Sequence, residues 1–290
     1  MNNLVPGTHT MITNGVRQVY HVAGTGPVMI TQSGGPGVEY AYLRSTRLEE
    51  HFTMVYPEIP GTGASGPLPE GSTYVDTYVG FLHSLVEHLG QARVHLLGHS
   101  HGGFTAQRFA LNHPDRVAGL VLYSTSPTNG AEFWATEQAE VDAYLSRHAG
   151  NPEIATVAAA ITSSVPLQTH AEKTDQLRAY LPIYFADFWG RRAEFDRLRE
   201  TVRAWVVRPG NERFDYRPEL SSIGARTLVI TGRHDFICGP VWSEMLHEGI
   251  PGSRLTILEN SGHFGHLEEP TAFHEAVDWI LTEEVLPSRH

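Results

Sequence analysis

The sequence predicts an α/β fold, with a mostly parallel sheet of eight strands, helices on both faces and one helical insertion. Three observations lead there. Short apolar runs alternate with segments of helical periodicity, several of those runs stop in glycine-rich loops, and the strand signal vanishes over residues 127–217 before returning. Parallel neighbours need helix-sized crossovers, so the alternation itself implies parallel pairing.

Residues 8–13 and 16–23 flank Asn14-Gly15, a pair suited to the positive φ angles of a tight turn, and predict an opening antiparallel hairpin. Residues 28–32 form a buried strand stopped by Ser33-Gly34-Gly35-Pro36-Gly37. Residues 52–56 form another, stopped by Pro57 and by Pro60-Gly61-Thr62-Gly63. Over 73–89, Val75, Val79, Leu82, Val86 and Leu89 fall on one helical face and Gly90 ends it. Then come a strand at 94–98, a helix at 102–111 ending near His113-Pro114, and a strand at 117–123. Residues 127–217 are helical in composition and rich in aromatics, among them Trp134, Tyr184, Phe188 and Trp189. Strands return at 227–231 and 255–258, and a helix at 271–281 closes the pattern.

The 290 residues are 41% hydrophobic and 18% charged, enough apolar material to close a core without staples. A formal charge of −11 without a Lys/Arg cluster argues against nucleic acid, whose affinity comes from basic groups displacing counterions. Cys238 is the only cysteine, so no intramolecular disulfide can form. Residues 1–20 lack an apolar stretch behind a basic start, and no run approaches a membrane span. The expectation is a cytoplasmic protein acting on a small molecule, with no nucleic acid or membrane as partner; its oligomeric state is not encoded in any pattern.

Gly98-His99-Ser100-His101-Gly102 sits where a strand meets a helix, the setting of a G-x-S-x-G nucleophile elbow. The turn holds its serine in a strained conformation above the sheet, and Gly98, Gly102 and Gly103 supply the room. The His101 backbone N–H then lies at a helix start, where unpaired donors and the dipole favour a developing negative charge. A second donor would come from the glycine loop after residue 32. Pro36 has no N–H, which leaves Gly35 as the candidate.

A serine hydroxyl is a weak nucleophile without a base, and the base needs an orienting acid. Asp235 follows the strand at 227–231 and His263 the strand at 255–258, in the order serine, acid, histidine that this kind of elbow requires. His266 is the nearest rival, but Gly262 gives His263 the irregular backbone needed to aim its ring. Asp196 and Glu194 are weaker acids for the role because they lie in the insertion. His99, His101, His263 and His266 show no metal-binding spacing, so neither a metal nor another cofactor is expected.

The glycine loop 33–37, the elbow 98–103, Gly232-Arg233-His234-Asp235-Phe236 and Gly262-His263 together resemble α/β-hydrolases related to proline iminopeptidases. The resemblance implies a Ser100, Asp235 and His263 triad, an oxyanion loop at Gly34, Gly35, Pro36 and Gly37, a core of residues 1–126 and 218–290, and a helical cap of residues 127–217 over the active site. Two positions depart from that family: Ser33 stands where its oxyanion loop begins with His, and His101 where prolyl aminopeptidases carry Trp. The expected reaction is therefore hydrolysis of a small, rather apolar ester, lactone or amide through an acyl-enzyme. A prolyl aminopeptidase, an acyltransferase or cyclase with the same triad, and a ligand receptor on the same fold are the alternatives. Trp134, Tyr184, Phe188 and Trp189 are the expected substrate contacts, and Glu132, Glu194 and Glu200 the acids available for a substrate ammonium. Glu58 lies near the expected mouth of the site.

Overall fold

A computed structural model of the chain describes residues 3–208, 210 and 212–281; the final nine residues of the expected core lie outside them. The opening hairpin is β1 (Gly7–Thr13) and β2 (Val16–Ala23), turning through Asn14 and Gly15 with φ of 49° and 80°. β3 (Val28–Gln32), α1 (Thr46–His51), β4 (Thr53–Glu58), α2 (Tyr74–His88), β5 (Val94–His99), α3 (His101–Asn112) and β6 (Val117–Tyr123) follow. Next come α4 (Ala131–Arg147), α5 (Ile154–Thr162), α6 (His170–Tyr180) and α7 (Arg192–Thr201). The sheet resumes with β7 (Arg226–Gly232), α8 (Pro240–Gly249) and β8 (Arg254–Leu258), and α9 (Gly265–Glu268) and α10 (Pro270–Asp278) complete the series. Sequence periodicity missed α1 and α9, each too short to show a face.

The eight strands form one sheet in the order β1-β2-β4-β3-β5-β6-β7-β8. β1, β2 and β4 pair antiparallel, and every later neighbour is parallel. Because strand side chains alternate, the central strands feed two cores. Ile30, Val55, Leu96, Leu120 and Val229 pack with Val79, Phe109 and Leu246 of α2, α3 and α8. Met29, Met54, Leu97, Val121 and Ile230 pack with Leu48, Phe273 and Val277 of α1 and α10. The parallel strands, buried on both sides, read as unbroken apolar runs.

The excursion between β6 and β7 is helical, as its composition predicts, and has its own cores. α6 starts with a capping box in which Thr169 and Glu172 satisfy each other's backbone donors. A bridge between Thr128 and Asp215 brings the two ends of the excursion together. Among the described residues no helix is long and apolar enough to cross a membrane.

Candidate active site

β5 ends in an abrupt turn into α3, and Ser100 at that turn has φ 55° and ψ −123°, a strained region for a residue with a side chain. The turn closes because its neighbours are glycines. A Cβ on Gly98 would lie 2.6 Å from the Gly102 carbonyl oxygen, and one on Gly102 would lie 2.1 Å from that of Gln32. Ser100 is the residue before α3, so the His101 N–H has no acceptor a turn behind it. The His101 ring turns the other way, buried against Tyr74, Tyr78 and Phe104. Burial brings that imidazole down to about 4, so it stays neutral.

Asp235 follows β7 and His263 follows β8, and the two meet: His263 Nδ1 lies 2.8 Å from Asp235 Oδ2, with both side chains almost wholly buried. Asp235 Oδ1 accepts from the backbone N–H groups of Ile237 and Cys238 at 3.1 and 2.9 Å. Burial alone would raise the Asp235 carboxyl, but the neighbouring His263 and these hydrogen bonds outweigh it and hold the group below the ordinary carboxylate range. Ser100 and His263 line one cleft. No hydrogen bond joins Ser100 Oγ to the imidazole here, and such bonds commonly tighten only around substrate.

Gly34 and Gly35 line the same cleft. Gly35 has φ 125°, and a Cβ there would lie 2.4 Å from the Gly37 nitrogen. The Gly34 N–H is taken, donating to Tyr42 Oη at 2.7 Å, which removes it as an oxyanion donor and keeps Gly35 as the candidate. Ser33, which stands where the resembled family's oxyanion loop begins with histidine, donates to the Val38 carbonyl and pins the loop.

A buried relay that sequence reading missed connects this loop to the histidine loop. The Tyr42 hydroxyl lies 2.7 Å from His99 Nδ1, and His99 Nε2 lies 3.0 Å from the His263 carbonyl oxygen. These partners fix the His99 tautomer: Nε2 carries the proton and donates to the carbonyl, while Nδ1 accepts from Tyr42. Burial, with His263 and His266 adding to it, holds His99 well below the usual histidine range, so the ring is neutral. His266 is structural too, set between the Tyr123 hydroxyl at 2.9 Å and the Tyr42 carbonyl at 2.8 Å, and lowered by burial to about 4. The four histidines thus serve separate partners, and among the described residues no three His, Cys, Asp or Glu gather as a metal site.

The excursion touches both loops. The His263 N–H donates to the Tyr184 carbonyl at 2.6 Å, and Glu268 accepts from Gly262 N–H at 2.6 Å and Ala186 N–H at 2.8 Å. On the other side Val38 bridges to Ala204, and Trp205 N–H donates to Gly37 O at 2.8 Å.

Of the four aromatic residues expected to touch substrate, only Tyr184 lines the cleft, where it also packs against His263 and Phe264. The other three need correcting. Trp134 is 50% exposed, its indole N–H donating to the Asn129 carbonyl. Phe188 is buried against Phe185 and Phe195, and the Trp189 indole donates to Tyr144. Phe188 and Trp189 pack in the excursion's own cores, while Trp134 stands on its surface. The cleft is walled instead by Leu167, Lys173, Leu177, Val202, Trp205 and Arg208 on that side, and encloses about 420 Å³.

The five acids singled out in the sequence besides Asp235 have other partners or positions. Glu132 pairs with Arg217, Glu194 with Arg191 and Asp196 with Arg192. Glu200 is exposed on α7. Glu58 faces His21 and accepts from the Ala64 N–H, which fixes the turn after β4.

A family model described as alpha/beta hydrolase fold matches residues 27–270. A curated 2-hydroxy-6-oxononadienedioate/2-hydroxy-6-oxononatrienedioate hydrolase of Escherichia coli is 27% identical over 259 residues, covering 88% of this chain and 86% of that protein. A solved hydrolase from Pseudomonas aeruginosa superposes with a TM-score of 0.71 at 25% identity, covering 95% of this chain and 98% of its own. The enol-lactonase from Burkholderia xenovorans shares the fold with a TM-score of 0.70 at 24% identity, over 95% of this chain and all of its own.

Proposed function

From its membership of the α/β-hydrolase fold family, to which this chain belongs, we propose that this hydrolase cleaves an ester or lactone of a small substrate through an acyl-enzyme on Ser100. One observation carries the reading: a serine strained to φ 55° at the strand-to-helix turn shares a cleft with a buried His263–Asp235 pair 2.8 Å apart. Ser100 Oγ attacks the carbonyl carbon while His263 takes the hydroxyl proton and Asp235 steadies the resulting imidazolium. The N–H groups of Gly35 and His101 hold the oxyanion. His263 then gives the proton to the leaving oxygen, and water reverses the sequence to free the acid.

The lining of the cleft disfavours the proline iminopeptidase-type alternative. A substrate ammonium calls for a carboxylate, and none of the residues lining the cleft is Asp or Glu. Hydrolysis next to an oxo group is the second reading, favoured by the curated relative, whose name places its action on a hydroxy-oxo-dienedioate.

A fluorophosphonate probe tests the nucleophile, followed by a panel of aryl esters, lactones and 2-hydroxy-6-oxo acids. The wild type should be labelled and Ser100→Ala should not, with turnover down roughly 10³-fold or more. Labelling that survives in Ser100→Ala would overturn the assignment.

A further inference from the structure

Lys173 is the only lysine in the chain; the other 20 of its 21 Lys and Arg residues are arginines. It stands on α6, half-buried in the wall of the cleft that holds Ser100 and His263, and Arg208 lines the same wall. Neither has a carboxylate partner among the described residues. The Lys173 ammonium reaches only the amide oxygen of Gln176, at 3.3 Å, and Arg208 only the carbonyl of Leu167, at 3.1 Å. Arg44, Arg116, Arg192, Arg217 and Arg233, by contrast, face carboxylates, while Arg93 and Arg178 also bond backbone carbonyls.

A buried ammonium loses hydration and is normally compensated by an opposite charge. Here burial lowers the Lys173 group below the ordinary lysine range, and no acid on the cleft wall offsets it. Leu167, Leu177, Val202, Trp205 and Phe264 give the same cleft a largely apolar lining. A cleft that combines the Ser100 side chain, apolar lining and two cations without carboxylate partners among the described residues suits an amphipathic acid.

We infer that Lys173 and Arg208 form an anion subsite, and that the substrate is a monoanion whose carboxylate they hold while its ester or lactone carbonyl lies at Ser100. This inference rests on the proposed hydrolysis for the second half of the statement only; the anion subsite stands on the cleft itself. Charge-assisted hydrogen bonds to a desolvated carboxylate are worth about 10- to 100-fold in specificity.

The test compares two aryl esters of glutaric acid, one with a free distal carboxylate and one with that carboxylate methylated. The wild type should favour the anionic ester by at least about 10-fold in kcat/KM. Lys173→Gln and Arg208→Gln should each shrink that ratio, and Lys173→Arg should restore most of it, which a purely structural role would not do. A ratio near one in the wild type, or a ratio unchanged in the Lys173→Gln/Arg208→Gln double variant, would overturn the inference.

A second readout does not depend on turnover. Reductive ¹³C-methylation marks the single lysine beside the amino terminus. Glutarate added to the intact protein should shift the Lys173 resonance and raise the pH at which it titrates, and no response at millimolar glutarate would overturn the subsite. If neither ester is hydrolysed and no fluorophosphonate adduct forms, the proposed function falls, and the glutarate titration alone decides the subsite.

Discussion

Tyr42→Phe removes one oxygen and tests whether the relay through His99 organises the site. That hydroxyl accepts from Gly34 N–H and faces His99 Nδ1, each at 2.7 Å. Leaving a buried donor or acceptor unsatisfied costs about 1–3 kcal/mol, so losing both should destabilise the fold by roughly 2–6 kcal/mol. The phenyl ring keeps its packing against Phe264 and His99, so little of this is lost volume. Urea unfolding followed by tryptophan fluorescence measures the change. The same substitution frees the loop carrying Gly35 from the loop carrying His263, and kcat on an activated ester should fall about 10- to 100-fold, because small misplacements of reacting groups have effects of that size. A stability change under about 0.5 kcal/mol together with an unchanged kcat would refute the reasoning and reduce the relay to a coincidence of packing.

The elbow can be probed through a pair of alanines. Gly102→Ala drives a Cβ to 2.1 Å from the Gln32 carbonyl oxygen, backbone against backbone, and should cost about 3 kcal/mol. Gly80→Ala in α2 meets nothing within 4 Å and should stabilise by about 0.5–1 kcal/mol. Thermal unfolding of both variants checks the contrast, and equal effects would mean that the elbow tolerates a side chain. Burial pushes Glu268 up to about 7, against the pull of its bonds from Gly262 and Ala186. A carboxyl raised in the folded state binds its proton more tightly there than in the unfolded chain. Stability should therefore fall as pH rises from about 4.5 to about 7, by roughly 3 kcal/mol at most. Glu268→Gln should flatten that slope in urea unfolding across the range, and an identical slope would exclude Glu268 as its source.

What could be read from the chain was what depends on neighbours in sequence. The buried strands announced themselves as apolar runs, α2 by its spacing of Val75, Val79, Leu82 and Val86, and the elbow by glycines around one serine. Asp235 and His263 were legible because each follows a strand at the same end of a parallel sheet. The relay of Tyr42, His99 and the His263 carbonyl was not, because its members lie 57 and 164 positions apart and no local pattern marks such a meeting. The aromatic residues misled for a related reason. Composition says that Trp134, Phe188 and Trp189 are large and apolar, but only the packing of α4 to α7 decides which faces turn to the cleft and which to each other. Lys173 carried one signal that was overlooked, its uniqueness in a chain that otherwise uses arginine.

The excursion between β6 and β7 grips the loops of His263 and Gly35 on both flanks, through Tyr184 and the Ala186 N–H bonded to Glu268 on the histidine side and through Ala204 and Trp205 on the glycine side. A roof fastened at those points cannot lift as a rigid lid while the machinery beneath it keeps its alignment. Raising one edge would strip the acceptor from the His263 N–H, and raising the other would slacken the loop that presents Gly35. Latch and alignment are the same few bonds, so on the proposed acyl-enzyme route each wide opening of the roof would also be a brief inactivation, leaving an exposed acyl group for that moment without its base.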